Sequence, residues 1–211
     1  MWAAWVMYPQ YRGKNEHVNT MNERTRGCFT YSMNAKDSEA GGPPPPDSDI
    51  LVDLQAFMFW MAQGVPTGKN MPGRGYPKLD EPPKDFDIER GRQVYAEQCA
   101  VCHGDDGQGK RVDGHYQFPP LWGKESFNWG AGMHRINTAA GFIKANMPLG
   151  KPETLSLQQA WDVAAFINFH ERPTDPRDEG DLQETDNVYH AHTCHFGAQK
   201  GDRRLGQGAA Q

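Results

Sequence analysis

Cys99-Ala100-Val101-Cys102-His103 decides how this chain is read. Two thiols and an imidazole at this spacing are what covalent haem attachment requires. The two sulfurs can add to the two vinyl groups of one porphyrin, and the adjacent histidine reaches the iron from the same face. A zinc site would need four ligands, usually supplied by a second Cys-x-x-Cys or a histidine pair at short spacing, and none follows here. A thioredoxin-like pair would follow a strand in a βαβ pattern, whereas these flanks read as a helix and then a glycine-rich loop.

Working outward, Ile88–Gln98 is helical by propensity and delivers the chain into Cys99. Gly91 weakens that helix, so the close approach of another helix is its reason. After His103, the glycines at 104, 107 and 109 predict a flexible loop, and Phe118-Pro119-Pro120-Leu121-Trp122-Gly123 reverses the chain. A prolyl carbonyl in that turn can accept the Nδ1 proton of His103 and strengthen its donation to iron; the sequence does not say which proline. The ligand on the other face of the haem is assigned to Met147, in a loop after a short helix over 139–145, because a thioether is soft and stabilises ferrous iron. Met133, His134 and Lys144 are its rivals. A last helix over 155–169, capped by Ser156, carries the stripe Leu157, Ala160, Trp161, Ala164 and Ile167, expected to cross the first helix at Gly91 and Tyr95. Pro173 closes the unit. The acidic tail over 174–211 holds His190, His192, Cys194 and His195, and its charge and glycine content place it at the surface.

At 211 residues and 37% hydrophobic content the chain can bury one large core or two small ones. Its 23 glycines and 16 prolines, with a mean hydropathy of -0.80, imply short helices joined by long irregular connections. The net charge of -5 argues against nucleic acid or a polybasic membrane surface as the main partner. Met1 to Tyr8 has no basic leader region or cleavage site and is far short of a membrane span. Covalent haem is attached outside the bacterial cytoplasm, so a periplasmic location is expected, with the chain starting downstream of its true beginning.

The stretch from Met1 to Arg26 is locally basic, since Arg12, Lys14, Arg24 and Arg26 outnumber Glu16 and Glu23 amid Trp2, Trp5, Tyr8 and Tyr11. A solvated helix face is the plain account. Cys28 follows among aromatic residues. It reads either as a small buried hydrophobe or as a thiolate held by the neighbouring arginines, acting as a nucleophile or a soft iron ligand. Its pairing with Cys194 is possible and unforced. Gly41 to Pro46 is a stiff proline loop without chemistry of its own. Beyond the cap residues Asp47-Ser48-Asp49, the residues Ile50, Leu51, Leu54, Phe57, Met58 and Met61 recur at helical steps up to Gly64, so this wide apolar face must be covered. Met58 and Met61 are assigned to core packing. Residues 65–87 read as a linker.

With these residues in view, 88–173 resembles a class I cytochrome c domain: helix, Cys-x-x-Cys-His, Pro-Pro-Leu turn, Asn-Met-Pro loop and the closing Asp-Val-Ala-Ala-Phe-Ile helix. The wider chain resembles the di-haem thiosulfate dehydrogenases. The points of likeness are Arg24, Cys28 and Ser32 in Arg-x-x-x-Cys-x-x-x-Ser, Met71-Pro72-Gly73-Arg74-Gly75, and Leu121-Trp122-Gly123 through Gly130-Ala131-Gly132-Met133. The resemblance implies an all-α chain of cytochrome c fold, one complete domain over 88–173 preceded by a partial one over 1–64. It also implies coupling of two thiosulfates into tetrathionate and an electron-accepting redox partner such as another cytochrome. Cys28 would then be an axial thiolate beside the substrate, with Arg24 and Ser32 holding the anion. Asn146 before Met147 favours plain His/Met ligation of the haem c on Cys99 and Cys102. The family's first domain carries its own Cys-x-x-Cys-His, and this chain has none in that region. Truncation is the reading that also explains the uncovered helix over 50–63, with a second haem expected in a longer form. The alternative is a mono-haem carrier or subunit.

Overall fold

The computed structural model describes residues 3–13, 15–68, 71–72 and 75–209. Met1, Trp2 and Lys14 of the basic stretch, and Gly73 and Arg74 of the Met71–Gly75 segment, lie outside the described residues. The chain forms two compact units, Met1–Gly75 and Tyr76–Gln211. Among the described residues no helix is long and apolar enough to cross a membrane.

In the first unit, β1 (Gln10–Arg12) and β2 (His17–Asn19) pair antiparallel, and α1 (Met21–Gly27) follows. Thr20 caps α1 in a reciprocal box with Glu23, which satisfies two backbone donors at the helix start. α2 (Asp49–Met61) buries Leu51 and Met58. Ile50, Val52, Phe57, Phe59 and Trp60 of the same helix are exposed, Trp60 at 67%. The expected cover for this helix is therefore only partly met within its unit. Asn22 Nδ2 and Arg26 Nε donate to the Pro46 and Pro44 carbonyls at 2.8 and 2.9 Å, so the proline loop anchors α1 through its backbone.

The second unit is built on α3 (Ile88–Gln98), α5 (Ile136–Asn146) and α6 (Leu157–Asn168), whose buried Val94, Tyr95, Ile136, Ala140, Val163 and Ala164 share one core. The helix ends follow from sequence. Asp87 caps α3 by accepting from the Arg90 amide, and Ser156 caps α6 in a box with Gln159. α3 and α6 cross at Gly91 as the sequence predicts: a Cβ there would stand 2.0 Å from the Asp162 carbonyl oxygen. The one-turn α4 (Ala100–His103) continues from α3, and β3 (Lys110–Val112) with β4 (His115–Phe118) forms a small hairpin. This hairpin, β1–β2 and the two-residue pair β5 (Gln199–Lys200) and β6 (Arg203–Arg204) are additions to the all-α expectation.

Three expectations need correction. The loop after His103 is not loosely held: Gly107 has φ 71, and a Cβ on it would lie 2.2 Å from the Trp122 ring, so the glycine serves close packing. The linker over 65–87 is a linker only in its first part. From Tyr76 onward it packs on the second unit, where Trp161 Nε1 donates to the Asp80 carbonyl at 3.1 Å and Phe86 stacks on Trp161. The segment after Pro173 is not a surface tail. α7 (Leu182–Tyr189) and the β5–β6 pair bring Phe196 and Leu205 onto Trp129, which is fully buried. Some of its charges serve local caps and ion pairs, such as Asp181 capping α7, while Phe196 and Leu205 turn inward.

Gly91→Ala is expected to destabilise the haem-loaded protein by about 1–3 kcal/mol, the usual cost of forcing extra volume into a packed contact. Denaturant unfolding followed by circular dichroism measures it, and a stability equal to the wild type would mean that the crossing can open freely.

Candidate functional site

Cys99 is at once the C-cap of α3 and the N-cap of α4. Its carbonyl accepts from the amides of Cys102 at 3.1 Å and His103 at 3.0 Å, so a single tight turn sets both residues relative to Cys99. Beyond it, Tyr95 Oη donates to the Gly104 carbonyl at 2.6 Å, and Gly109 N donates to the His103 carbonyl at 2.7 Å. These two bonds close the loop back onto the helix that precedes it. Pro119 is the proline left open by the sequence: its carbonyl lies 3.4 Å from His103 Nδ1. A carbonyl can only accept, so the proton sits on Nδ1 and Nε2 is left with a lone pair. Burial lowers the His103 pKa, which keeps the ring neutral. Burial and then the neighbouring Cys102 push the Cys99 thiol up to about 11.

Met147 is the C-cap of α5 and packs against the same core as Cys99, Leu121 and Trp122. The loop after it is tied shut. Lys144 Nζ donates to the Glu153 carbonyl at 2.8 Å and to its carboxylate at 2.6 Å, and Glu153 N donates to the Lys144 carbonyl at 3.0 Å. Lys144 is thereby occupied. His134, another rival, is buried against histidines of the C-terminal segment. Two half-buried thiols not joined to each other, a neutral imidazole aimed by a carbonyl and a thioether in a closed loop form a donor set that fits covalent haem.

In the first unit, α1 passes into a π-helical turn over Cys28–Ser32, closed by Met33 N donating to the Cys28 carbonyl at 3.0 Å. Such turns are rare and concentrate at functional sites. Arg24 Nη1 donates to Cys28 Sγ at 3.2 Å. Ser32 is exposed at the end of the same turn. Burial lowers the Arg24 pKa, but the Cys28 sulfur and the Tyr8 hydroxyl outweigh it and the net shift is upward. Arg12, on β1, is pushed down by burial and then by the charge of Arg24. Sequence reasoning counted Arg12 as part of a basic stretch and did not assign it to the site. The signal was weak, because only the fold of the β1–β2 hairpin brings it near Arg24 and Cys28. Arg26, closer to Cys28 in sequence than either, is taken by the proline loop.

Residues 86–167 match the family model described as cytochrome C oxidase, cbb3-type, subunit III. The chain is 55% identical over 211 residues to the thiosulfate dehydrogenase of Stutzerimonas stutzeri (strain A1501), covering 99% of this chain and 67% of that protein. It is 48% identical over 190 residues to the thiosulfate dehydrogenase of Thiomonas intermedia (strain K12), covering 90% of this chain and 59% of the relative. Among solved structures it is similar to thiosulfate dehydrogenase (TsdBA) from Marichromatium purpuratum in its as-isolated form, with a TM-score of 0.93 and 54% identity over 99% of this chain and 45% of that one. The chain thus spans only part of the length of each protein it matches.

Trp122, which covers Gly107, is backed by His170, stacked on it at 4.1 Å. His170 Nδ1 donates to the Phe166 carbonyl at 2.8 Å. Burial, and then the charge of Lys200, pushes its pKa down to about 4. An unfolded histidine titrates near ~6.5, so between that pH and about 4 the unfolded chain binds a proton that the folded one refuses. Stability is therefore expected to fall as pH drops through this window. His170→Phe, which keeps the stacking, should flatten the dependence in thermal unfolding across a pH series; an unchanged slope would remove His170 from the account.

Proposed function

The chain belongs to the thiosulfate dehydrogenase family, and from that premise we propose that it carries a substrate site at Cys28 and an electron relay at Cys99–His103 for the oxidation of two thiosulfates to one tetrathionate. The two electrons released leave for an external acceptor, such as a partner cytochrome. The observation that carries this reading is the 3.2 Å contact between Arg24 Nη1 and Cys28 Sγ on the π turn. A guanidinium held against a sulfur places positive charge where a sulfur dianion must arrive, and planar N–H donors suit its oxygens. Arg12 adds a second positive charge beside it, and the Ser32 hydroxyl offers a neutral donor at the rim. The S–S bond of the product forms between two dianions, so cationic side chains that offset their repulsion lower the barrier to approach.

A haem c anchored by Cys99 and Cys102 and ligated by His103 and Met147 supplies reversible one-electron transfer. Around it, Pro119 orients His103, the Lys144–Glu153 closure holds Met147 in place, and Tyr95 fixes the loop between them. Residues 1–64 correspond on this reading to the later part of a first cytochrome c-like domain, in which the Cys28 thiolate would help to hold a second haem. The periplasm is the compartment where covalent haem and a sulfur anion meet. The alternative reading is a mono-haem carrier, and the same experiment separates the two.

In the full-length product with both haems attached, thiosulfate-dependent reduction of an external acceptor is expected to fall roughly 100-fold or more in Cys28→Ala and Arg24→Leu, the scale of losing an electrostatic anchor for developing charge. The visible spectrum of the haem at Cys99–His103 should be unaltered. Activity that survives both substitutions would move the substrate site elsewhere, and no thiosulfate-dependent activity in the wild type would leave the carrier reading. Met147→Ala should abolish the long-wavelength band that a thioether gives ferric haem; its persistence would reassign the ligand.

A further inference from the structure

Three imidazoles and a thiol converge in the second unit, apart from the Cys99–His103 motif. His134 closes the short 3₁₀ turn before α5, His190 caps the end of α7, and His192 and Cys194 follow on the next few residues. Their four donor atoms all lie within 4.8 Å of one another. His134 and His190 are 1% and 3% exposed, set among the rings of Trp129 and Phe196.

Hydrogen bonds on the outer side of the cluster fix where two of the ring protons sit. His134 Nδ1 lies 2.5 Å from the Ala131 carbonyl, which can only accept, so the proton is on Nδ1 and Nε2 presents a lone pair to the cluster. His190 Nε2 lies 3.1 Å from Asp175 Oδ2, a carboxylate also held by Arg177, so the proton is on Nε2 and Nδ1 presents its lone pair inward. These two inward nitrogens face each other at 3.2 Å. His192 Nε2 stands 2.7 Å from the same His134 nitrogen. One proton on His192 can bridge to one lone pair and leaves the other opposed. Lone pairs aimed at a shared point in a dry site are what a cation relieves, and an imidazole whose far nitrogen donates to a carboxylate is the usual outer support of a metal ligand.

We propose that His134 Nε2, His190 Nδ1, His192 Nε2 and the Cys194 sulfur bind one zinc ion tetrahedrally. Three nitrogens and one sulfur suit a borderline divalent ion and offer no oxygen to calcium or magnesium. Four protein ligands leave no open position, so the role is structural. Zn–N bonds of about 2.0 Å set tetrahedral nitrogens about 3.3 Å apart. The His134 and His190 nitrogens already stand 3.2 Å apart, and His192 Nε2, at 2.7 Å from His134 Nε2, would move outward by about 0.6 Å. The ion joins the C-terminal segment to the turn that starts α5. Zinc has no redox chemistry, so it does not compete with a haem for electrons.

The test uses the haem-loaded chain, in which Cys99 and Cys102 are consumed, produced with zinc and dialysed against metal-free buffer. Elemental analysis should find one zinc per chain beside the haem iron, and zinc-edge X-ray absorption should find three nitrogen neighbours and one sulfur. Cys194→Ser should remove the sulfur shell, and Asp175→Asn should weaken zinc binding about 10- to 100-fold in chelator competition. The haem spectrum should be unchanged in both. A wild-type chain that retains no zinc, or a zinc shell without sulfur, overturns the proposal. Should a variant fail to fold, the wild-type stoichiometry and shell decide alone.

Discussion

The second unit depends on the approach of α3 and α6 at Gly91. Only the missing side chain lets the two backbones come that close, and the contact is locked by a buried carboxylate. Asp162, 2% exposed, accepts from Arg90 Nε and Nη2, from the Asp87 amide and from Gln158 Nε2. A carboxylate taken out of water costs several kcal/mol unless its lone pairs are met, and here four donors meet them. One turn beyond Gly91, Tyr95 packs on Phe166 and Trp122 and bonds the Gly104 carbonyl. One turn further comes Cys99. The placement of the Cys-x-x-Cys-His turn is thus inherited along α3 from the crossing.

The first unit is held by different means. Its α1 is fixed by a capping box at one end and by two proline-loop carbonyls on its flank, and its C-terminal end is unwound into a π turn. That turn puts the Cys28 sulfur against Arg24 rather than into a core. Arg12 and Arg24 repel each other, and Cys28 with Tyr8 offsets part of the repulsion. A fold that gathers like charges in a half-buried place forgoes stability that simple packing would give. α2 gives the unit little compensation, because Phe57, Phe59 and Trp60 remain at its surface.

What could be read from sequence was local. The caps at Ser156 and Asp87, the helical stripe of α6, the glycine of the crossing and the haem motif all announce themselves within one or two turns of chain. What could not be read depends on partners far apart. Pro119 and Pro120 are indistinguishable until the β3–β4 hairpin fixes which carbonyl faces His103. Arg12 and Arg26 both precede Cys28 with the same chemistry, and only the proline loop removes one of them. The histidines after α7 looked like solvent-facing residues because their partner, His134, is 56 positions away. Composition misled there as well, since a segment rich in Asp, Glu and Gly can spend its charges on its own turns and still bury Phe196 and Leu205.

That segment matters to the Met147 loop at the far end of α5. The Ile136 amide, in the first turn of α5, donates to the Thr193 carbonyl at 3.0 Å, so the C-terminal segment supplies an acceptor that the helix start lacks. The loop leading into α5 is held by residues that follow α6: Trp129 Nε1 donates to Glu171 at 2.6 Å, and Gly206 N donates to the same carboxylate. Beneath Phe127 lies Arg172, wholly buried, its guanidinium 4.1 Å from the ring centre and bonded to the Ile167 carbonyl. α5 is therefore fixed at its start by residues that follow α6 and at its end by the Lys144–Glu153 closure. Met147 sits at that second end. A rigid helix pinned at both termini transmits the position of one to the other, so the C-terminal segment, although remote from the Cys99–His103 turn, helps to decide where the thioether stands.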